Sequence, residues 1–301
     1  MFTTLSDFLR WAEKLFIANK LFFGHGTQNA WDEAVFVASY VLKLDLYKED
    51  LVDCVLTKNQ IIKLKKIVLA RINTKKPLAY ILKTAWFAGR KYYVTSKVIV
   101  PRSPLAELIN NKFKPELNKK KSIKILDLCT GSGCIAIACY YALNQPNINL
   151  KIDASDICSH ALNIAKKNLK LHNLLDKINL IKSDLFNNIS KNNKHKYDLI
   201  ISNPPYVDQK TFDNLPTEFY AEPKKALLAG ITGFELVHKI LNKASHFLTD
   251  NGILIVEVGV TWKKLVKLYP NINFKWLRFN NGGEGVFLLT KKQLSICLLV
   301  R

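Results

Sequence analysis

The sequence predicts an α/β fold, a doubly wound and mostly parallel sheet preceded by a separate helical domain. Residues 103–301 alternate apolar runs with amphipathic stretches, a pattern typical of parallel strands joined by helical crossovers. Residues 1–76 instead place their apolar residues at helical spacing throughout. A chain of 301 residues, 49% of them hydrophobic, is long enough to bury the cores of two such domains.

The first 76 residues are interpreted as a helical recognition domain, because no glycine-rich phosphate loop interrupts them. The helical spacing recurs in three stretches, residues 6–21, 29–46 and 57–75. The segment "FFGHGTQNAWDEA" offers two glycines for a turn, and then Thr27 or Asn29 as a helix cap with Asp32 and Glu33 in the first turn. His25 is therefore interpreted as a turn residue and not as a catalyst.

Residues 77–102 are predicted to form a β-hairpin linker between the helical domain and the α/β domain. The segment is rich in aromatic and β-branched residues on both sides of Gly89, which favours two strands and a turn. Pro101 and Pro104 follow, and proline cannot continue a strand ladder. The α/β domain is accordingly expected to span residues 103–301.

A net charge of +21 raises the question of nucleic-acid binding, because clustered cations bind phosphate by releasing counterions. The excess is nearly all lysine, 39 Lys against 6 Arg, and it is scattered. Lysine does not make the bidentate phosphate contacts that arginine makes. We interpret the charge as compositional drift with weak, non-specific attraction to an RNA-rich partner.

The cysteines show neither a CxxC pair nor a spacing with histidine that suits a metal, so we expect reduced thiols and no metal site. They are Cys54, Cys129, Cys134, Cys139, Cys158 and Cys297. No signal peptide or transmembrane span is apparent in the sequence. These observations predict a cytoplasmic protein without a membrane partner.

The α/β domain opens with "IKILDLCTGSGCIAIACYYAL", in which an apolar strand reaching Asp127 leads through a glycine turn into a helix. Backbone N–H groups and the positive helix end then face any bound ligand. The dinucleotide fingerprint G-x-G-x-x-G is not met, because Cys129 occupies its first glycine position and Ala136 its last. The remaining turn, with Gly131 and Gly133, suits a ligand that has an amino acid tail and no phosphate.

Two further strands end in acids. "LKIDASDIC" ends at Asp156, where a carboxylate can bind both hydroxyls of a ribose, and "INLIKSDLF" ends in Asp184 and Leu185, placed for an adenine amino group and ring. A single acid at a strand end is more often a helix cap. Three in succession, followed by the sequence NPPY after a fourth strand, indicate one binding edge.

With these residues in place, the chain resembles the class I methyltransferases that use S-adenosylmethionine, and within them the protein glutamine methyltransferases. The resemblance covers nearly the whole chain, and its motifs are "FGHGTQNAWDEA", "AWFAG", "VPRSPLAELI", "LDLCTGSGCIAIA", "SDLF", "NPPYVD", "AEPKKALLAG" and "NGGEGVFLLT". They fit the branch acting on large-subunit ribosomal protein L-three, in which a cysteine is expected at position 129. The resemblance implies a Rossmann-like sheet of seven strands, and a substrate that is free protein or part of a ribosome assembly intermediate.

The resemblance also implies which residues bind the cofactor S-adenosylmethionine. They are Asp127, Cys129, Thr130, Gly131, Ser132, Gly133, Asp156, Asp184, Leu185 and Asn203.

The catalytic and substrate-binding residues are expected in the NPPY sequence that follows the strand "YDLII". An amide nitrogen is a poor nucleophile because its lone pair is delocalised into the carbonyl. The side-chain oxygen of Asn203 and the backbone carbonyl of Pro204 can each accept one N–H of the target amide. Pro204 and Pro205 stiffen the loop, and Tyr206 offers a ring face to the amide. Without the upstream acids, NPPY would equally suit a rigid turn.

Three alternatives remain at this point. The release-factor branch of the same family shares NPPY but typically differs at "PRSPLAELI" and lacks "GHGT…WDEA". Adenine-amine methyltransferases acting on DNA or RNA must also methylate a nitrogen whose lone pair is delocalised. The helical domain shows no recognisable nucleic-acid motif, however, so no specific DNA partner is expected. The third is a non-enzymatic RNA-binding or ribosome assembly factor that retains the fold.

Overall fold

The computed structural model describes residues 2–44, 54–114, 116–117, 121–190 and 196–299. The end of the predicted second helical stretch, residues 45–46, and the side chain of Cys297 lie outside the described residues. The helices are α1 Leu5–Ala18, α2 Ala30–Leu42, α3 Lys58–Thr74, α4 Leu78–Leu82, α5 Leu105–Asn110, α6 Cys134–Leu143, α7 Ser159–Leu171, α8 Gln209–Phe212, α9 Lys224–Leu227, α10 Glu235–Lys243, α11 Trp262–Leu268 and α12 Lys291–Leu299. The strands are β1 Thr84–Phe87, β2 Arg90–Tyr93, β3 Ser122–Leu128, β4 Asn149–Asp156, β5 Ile178–Lys182, β6 Tyr197–Ser202, β7 Leu248–Glu257, β8 Lys275–Trp276 and β9 Val286–Thr290.

The large sheet has seven strands in the order β5-β4-β3-β6-β7-β9-β8. The first five run parallel, and β9 pairs antiparallel with both β7 and β8. The predicted seven-stranded, mostly parallel sheet is thereby confirmed. Strand order reverses between β3 and β6, and in open α/β sheets ligands bind beyond the carboxyl ends of the strands at such a switch point.

The central strands are apolar on both faces because helices cover both sides of the sheet. Alternate residues of a strand point to opposite faces, so Ile125 joins one core cluster while Leu126 joins the other. Helices α6 and α7 contribute to the first cluster, and α10 and α11 to the second. Both central residues are fully buried, which fixes the register of β3 in the sheet.

The N-terminal helices α1 to α4 share a third core cluster of their own. Of the two predicted caps, Asn29 caps α2: its side-chain oxygen accepts a hydrogen bond of 2.8 Å from the backbone N–H of Asp32. The hydroxyl of Thr27 instead donates to the carboxylate of Glu33. Within the described ranges, none of the helices combines the length and the apolar character that a membrane crossing requires.

The hairpin between the domains is shorter than the sequence suggested. Strands β1 and β2 pair antiparallel from Thr84 to Tyr93 across a turn at Ala88 and Gly89, but residues 78–82 form the short helix α4. Pro77 precedes this helix, where its missing N–H costs nothing because the first turn of a helix has no acceptor for it. The domain boundaries at residues 76 and 102 stay predictions.

Arg71 connects the N-terminal domain to the segment that follows NPPY. Its side chain is 1% exposed, and its Nε donates to Oε1 of Glu33 at 2.5 Å. Its Nη1 lies 3.3 Å from Oε1 of Glu218, and its Nη2 donates to the carbonyl of Phe22 at 2.9 Å. Glu218 in turn accepts from the backbone N–H of Phe22 at 3.0 Å. One buried guanidinium therefore holds two carboxylates from different parts of the chain.

Replacing Arg71 by Met should lower the free energy of unfolding by about 3 kcal/mol, because it leaves Glu33 and Glu218 buried without their cation while keeping most of the side-chain volume. Urea unfolding of the full chain, followed by circular dichroism, measures the effect. Arg10→Met on the exposed face of α1 is the matched control and should lose less than about 0.5 kcal/mol. Equal losses in the two variants would contradict the stabilising role of the Arg71 pair.

Candidate active site

Four neighbouring strands bring the predicted site residues to one edge of the sheet. Leu128 at the end of β3 pairs with Ser155 of β4 on one side and with Ser202 of β6 on the other. Asp156 and Asn203 each follow their paired serine, so both lie level with the start of the glycine turn. This common level is the geometric basis of a single site.

The glycine turn is tied to the end of β4. The backbone N–H of Thr130 donates to the carbonyl of Ser155 at 2.9 Å, and that of Gly131 donates to Oδ2 of Asp156 at 2.9 Å. Oδ1 of Asp156 accepts from the backbone N–H of Cys158 at 2.8 Å. Burial raises the pKa of Asp156, although these backbone donors favour its charged form. Asp156 thus fixes the turn and keeps lone pairs for ligand hydroxyls.

The glycine turn leaves open space at the position where the amino acid tail of S-adenosylmethionine is predicted to bind. A Cβ at Gly131 would meet no atom within 4 Å, whereas Gly133 caps helix α6 directly below. Asp127 is fully buried, and its Oδ2 accepts from the Thr130 hydroxyl at 2.6 Å and from the backbone N–H of Ala136 at 3.1 Å. Its Oδ1 has no hydrogen-bond partner among the described residues. A ligand ammonium group is a donor that this oxygen lacks.

Burial raises the pKa of Asp127 to about 7, and the carboxylate of Asp156 adds to the shift. A bound cation next to the carboxyl group would favour its ionised form. Ser132, the next residue in the turn, is also buried, and its carbonyl accepts from the side-chain amide of Asn168 at 2.8 Å. The turn is therefore rigid before any ligand binds.

Cys129 begins the turn in the left-handed conformation, with φ of +60°. Glycine adopts this conformation without steric cost, which explains why the dinucleotide fingerprint has glycine at that position. Burial raises the pKa of the Cys129 thiol, and the carboxylates of Asp156, Asp127 and Asp184 also contribute, partly offset by a hydrogen bond with Ser202. A thiol that stays protonated is neither a nucleophile nor a metal ligand.

The predicted adenine-binding residues Asp184 and Leu185 lie just beyond the end of β5 and not within the strand. Strand β5 ends at Lys182, two residues before Asp184, and its last bond to β4 runs from the backbone N–H of Ser183 to the carbonyl of Asp156 at 3.0 Å. Asp184 is exposed, and Leu185 is 7% exposed within the core. The Ser183 hydroxyl donates to the carbonyl of Leu185 at 2.7 Å and fixes this bend. Their contacts with an adenine stay predictions.

Asn203 and Pro204 follow β6 at the centre of the edge. The side chain of Asn203 is partly exposed and has no hydrogen-bond partner among the described residues, so its oxygen can accept one. The carbonyl of Pro204 likewise accepts no backbone hydrogen bond within the described ranges. Further along, the backbone of Val207 exchanges hydrogen bonds with Leu227 at 3.0 Å and Ala229 at 2.9 Å. The loop is thus anchored downstream, while the partly exposed Asn203 and the buried Pro204 each keep an acceptor without a hydrogen-bond partner among the described residues.

Tyr206 is held from two sides. Its hydroxyl donates to Oε1 of Glu257 at 3.0 Å, and a Cβ at Gly259 would lie 2.8 Å from its ring. Gly259 is therefore required here by the close approach of the ring. Burial raises the pKa of Tyr206, and the Glu257 carboxylate raises it further, so the phenol stays neutral at physiological pH. Pro205, the residue before Tyr206, is partly exposed.

Sequence reasoning assigned no role to Glu222, although the motif "AEPKKALLAG" contains it. Its carboxylate accepts from Nη1 and Nη2 of Arg102 at 2.7 and 2.6 Å and from the backbone N–H of Val100 at 2.8 Å. Although burial opposes the charge, the hydrogen bonds and charge of Arg102 lower the pKa of Glu222 to about 2. His25 lies 3.5 Å away and is buried, so it is a packing partner of Glu222 and more than the turn residue expected.

The sequence profile of the methyltransferase small domain family matches residues 111–232. A ribosomal protein uL3 glutamine methyltransferase from Francisella tularensis subsp. tularensis is 44% identical over 296 residues, which cover 97% of this chain and 91% of that protein. The protein of the same name from Xanthomonas campestris pv. campestris is 39% identical over 296 residues, covering 97% of this chain and 92% of its own length.

Among solved structures, the hMettl16 catalytic domain in complex with the MAT2A 3'UTR hairpin 6 matches with a TM-score of 0.52 and 15% identity, over 85% of this chain and 92% of that one. At this identity the similarity extends to the fold alone, and it agrees with a class I methyltransferase sheet. The two relatives, by contrast, align over nearly the entire sequence, including the N-terminal helices. The chain therefore belongs to the family of ribosomal protein uL3 glutamine methyltransferases, which use S-adenosylmethionine as methyl donor.

Proposed function

We propose that this protein methylates the side-chain amide nitrogen of one glutamine in ribosomal protein uL3. The observation that supports the chemistry most directly is the pair of available oxygen acceptors, on Asn203 and Pro204, level with the glycine turn. The substrate follows from the two relatives of that name, at 44% and 39% identity over nearly the full chain.

The cofactor supplies an electrophilic methyl group on a sulfonium. On the protein side, the orphan oxygen of Asp127 binds the ammonium group of the amino acid tail, and Asp156 accepts the ribose hydroxyls. The exposed carboxylate of Asp184 accepts from the adenine amino group, and Leu185 contacts the ring. Because Asp156 also holds the turn at Gly131, the ribose and the tail are positioned by one carboxylate.

Asn203 and Pro204 prepare the amide for attack. When the Asn203 oxygen and the Pro204 carbonyl each accept one N–H of the substrate amide, the nitrogen lone pair turns toward the methyl group. The proline pair fixes the backbone before the substrate arrives, so little rearrangement opposes the reaction. Orienting two reactants in line can contribute up to roughly 7 to 11 kcal/mol. The methylated nitrogen is acidic and loses its extra proton to water.

Tyr206 provides the surface on which the planar amide lies, and its ring can also stabilise nearby positive charge by about 0.5 to 2 kcal/mol. Its neutral phenol places no negative charge beside the amide oxygen. The ring therefore restricts the amide to the plane in which both acceptors can reach it.

We further propose that uL3 is modified in the cytoplasm, within an RNA-containing ribosome assembly intermediate and without specific DNA or membrane partners. The net charge of +21 supports an encounter with RNA, which it attracts without sequence preference. The five described cysteines are all unpaired, which is typical of a reducing compartment. A comparison of free uL3 with uL3 in precursor particles as substrates tests which form is preferred.

Incubation with methyl-labelled cofactor distinguishes the candidate substrates. We expect label in unmethylated uL3, on one glutamine side chain, and none in release factor or in adenine-containing DNA or RNA. Mass spectrometry of the labelled species locates the methyl group. Label on release factor or nucleic acid, with uL3 unmodified, would exclude the proposed substrate.

Asn203→Ala should reduce kcat at least about a hundredfold, because it removes one of the two acceptors that orient the nitrogen. The dissociation constant for S-adenosylmethionine, measured by calorimetry, should change less than about threefold, since the backbone of the turn is untouched. Asn214→Ala, in the exposed segment after the loop, is the matched control and should keep wild-type kcat. Full turnover by the Asn203 variant would refute the acceptor role.

Asp156→Ala should weaken cofactor binding about tenfold or more, because it removes both the ribose acceptor and the partner of the Gly131 N–H. At saturating cofactor, kcat should recover to within about threefold of the wild type, since the amide acceptors are unchanged. Asp176→Ala, at a solvent-exposed carboxylate, controls for the lost charge. An unchanged dissociation constant in the Asp156 variant would show that the cofactor lies elsewhere.

A further inference from the structure

We propose that Glu257 is a positioning residue for methyl transfer, which acts by holding the Tyr206 ring in the orientation that the substrate amide requires. The inference rests on the proposed function, because it concerns the ring against which the glutamine amide lies. Glu257 ends β7, the strand next to β6, so it approaches Tyr206 from the neighbouring strand end. Both of its carboxylate oxygens accept from hydroxyl groups of this chain, so we assign it a role through Tyr206 and no contact with the substrate.

The carboxylate of Glu257 is shared between two hydroxyl groups. Oε1 accepts from the Tyr206 hydroxyl at 3.0 Å, and Oε2 accepts from the Ser103 hydroxyl at 2.5 Å. The residue is 5% exposed, so water does not compete strongly for either oxygen. A buried carboxylate with one donor on each oxygen has little freedom to rotate, and it transfers this rigidity to the tyrosine.

Ser103 is itself fixed. Its oxygen accepts from the backbone N–H of Leu105 at 3.1 Å while its hydroxyl hydrogen goes to Glu257. Leu105 begins helix α5 and is fully buried, so Ser103 sits on a rigid support. The orientation of Tyr206 is therefore set through Glu257 by a segment that lies about one hundred residues earlier in the chain.

The backbone on the other side of Tyr206 closes the remaining space. A Cβ at Gly259 would lie 2.8 Å from Cε2 of the ring, and a Cβ at Gly233 would lie 2.7 Å from the carbonyl oxygen of Tyr206. The ring is thus packed against the backbone at Gly259 and bonded at its hydroxyl. Loss of the hydroxyl bond would remove one of these two restraints on the ring.

The charge of Glu257 decides how well this support works. Burial raises the pKa of Glu257 to about 7, against the hydrogen bonds from Ser103 and Tyr206 and the positive charge of Arg102. Arg102 at the end of the linker and Ser103 directly after it face Glu257 from one side, Tyr206 faces it from the NPPY loop, and Glu222 is bonded to Arg102. The ionised carboxylate accepts both hydroxyls, whereas the protonated form must place its own hydrogen where one of them donates. Positioning is therefore complete above the pKa and weakens as the pH falls through it.

Steady-state kinetics of the full-length enzyme with uL3 at saturating cofactor test the proposal. Glu257→Gln keeps the shape but cannot accept both hydroxyls, and Tyr206→Phe keeps the ring without its hydroxyl. Each single variant should have a kcat/KM for uL3 about tenfold below the wild type. Because both substitutions remove the same hydrogen bond, the kcat/KM of the double variant should be no lower than that of the less active single variant. The dissociation constant for S-adenosylmethionine should stay within about twofold of the wild type in all three.

Tyr197→Phe is the matched control, because it removes a hydrogen bond of 2.7 Å from a tyrosine to the carboxylate of Asp153 at the opposite end of β6. It should keep wild-type kinetics. The pH profile gives a readout that loss of stability would not move. The kcat of the wild type should decrease as the pH is lowered through about 7, and the kcat of the Glu257→Gln variant should not show this decrease.

The outcomes separate two failures. If the wild type methylates uL3 but both single variants keep its kcat/KM, or if their effects multiply in the double variant, the positioning role is wrong and the proposed function stands. If the Glu257→Gln variant keeps the fall below pH of about 7, the group that titrates is not Glu257. A wild-type enzyme without activity on uL3 would instead overturn the proposed function.

Discussion

The parallel register of β4, β3 and β6 is the constraint on which the site depends. Leu128 pairs with Ser155 and with Ser202, and the residues after these three become Cys129, Asp156 and Asn203. A shift of one residue in either pairing would send the alternating side chains to the wrong face. Because Leu126 and Leu128 fill one core and Ile125 the other, such a shift would also expose the core, so the hydrophobic pattern protects the site geometry.

Two buried carboxylates behind the NPPY loop illustrate how neighbours decide charge. Glu222 is bonded directly to the guanidinium of Arg102, and its pKa falls to about 2. Glu257 receives only neutral hydroxyls as direct partners, and its pKa rises to about 7. Glu222 is therefore a permanent structural ion that connects the linker to the segment after the NPPY loop. Because the pKa of Glu257 lies near neutral pH, its carboxyl group can change protonation in the physiological pH range.

Two ion pairs connect earlier parts of the chain, helix α3 and the linker, to the segment after the NPPY loop. Arg71 of α3 holds Glu218, and Arg102 holds Glu222, and both acids lie in the segment directly after the NPPY loop. The helical domain, for which a recognition role is predicted, is thereby attached through Arg71 to the segment that follows NPPY. Replacing either arginine would leave a buried carboxylate without its cation, which is far costlier than losing an exposed pair.

Local patterns in the sequence determined the order of helices and strands, a helix cap at Thr27 or Asn29, and the residues near the strand ends, because period and turn chemistry depend on near neighbours. The same patterns predicted too long a hairpin, and they placed Asp184 inside a strand that in the structure ends at Lys182. Only the tertiary structure decided that the hydroxyl groups of Ser103 and Tyr206 both donate to the carboxylate of Glu257. Those residues lie up to 154 positions apart, and such contacts follow from packing of the whole sheet and leave no periodic signal in the chain.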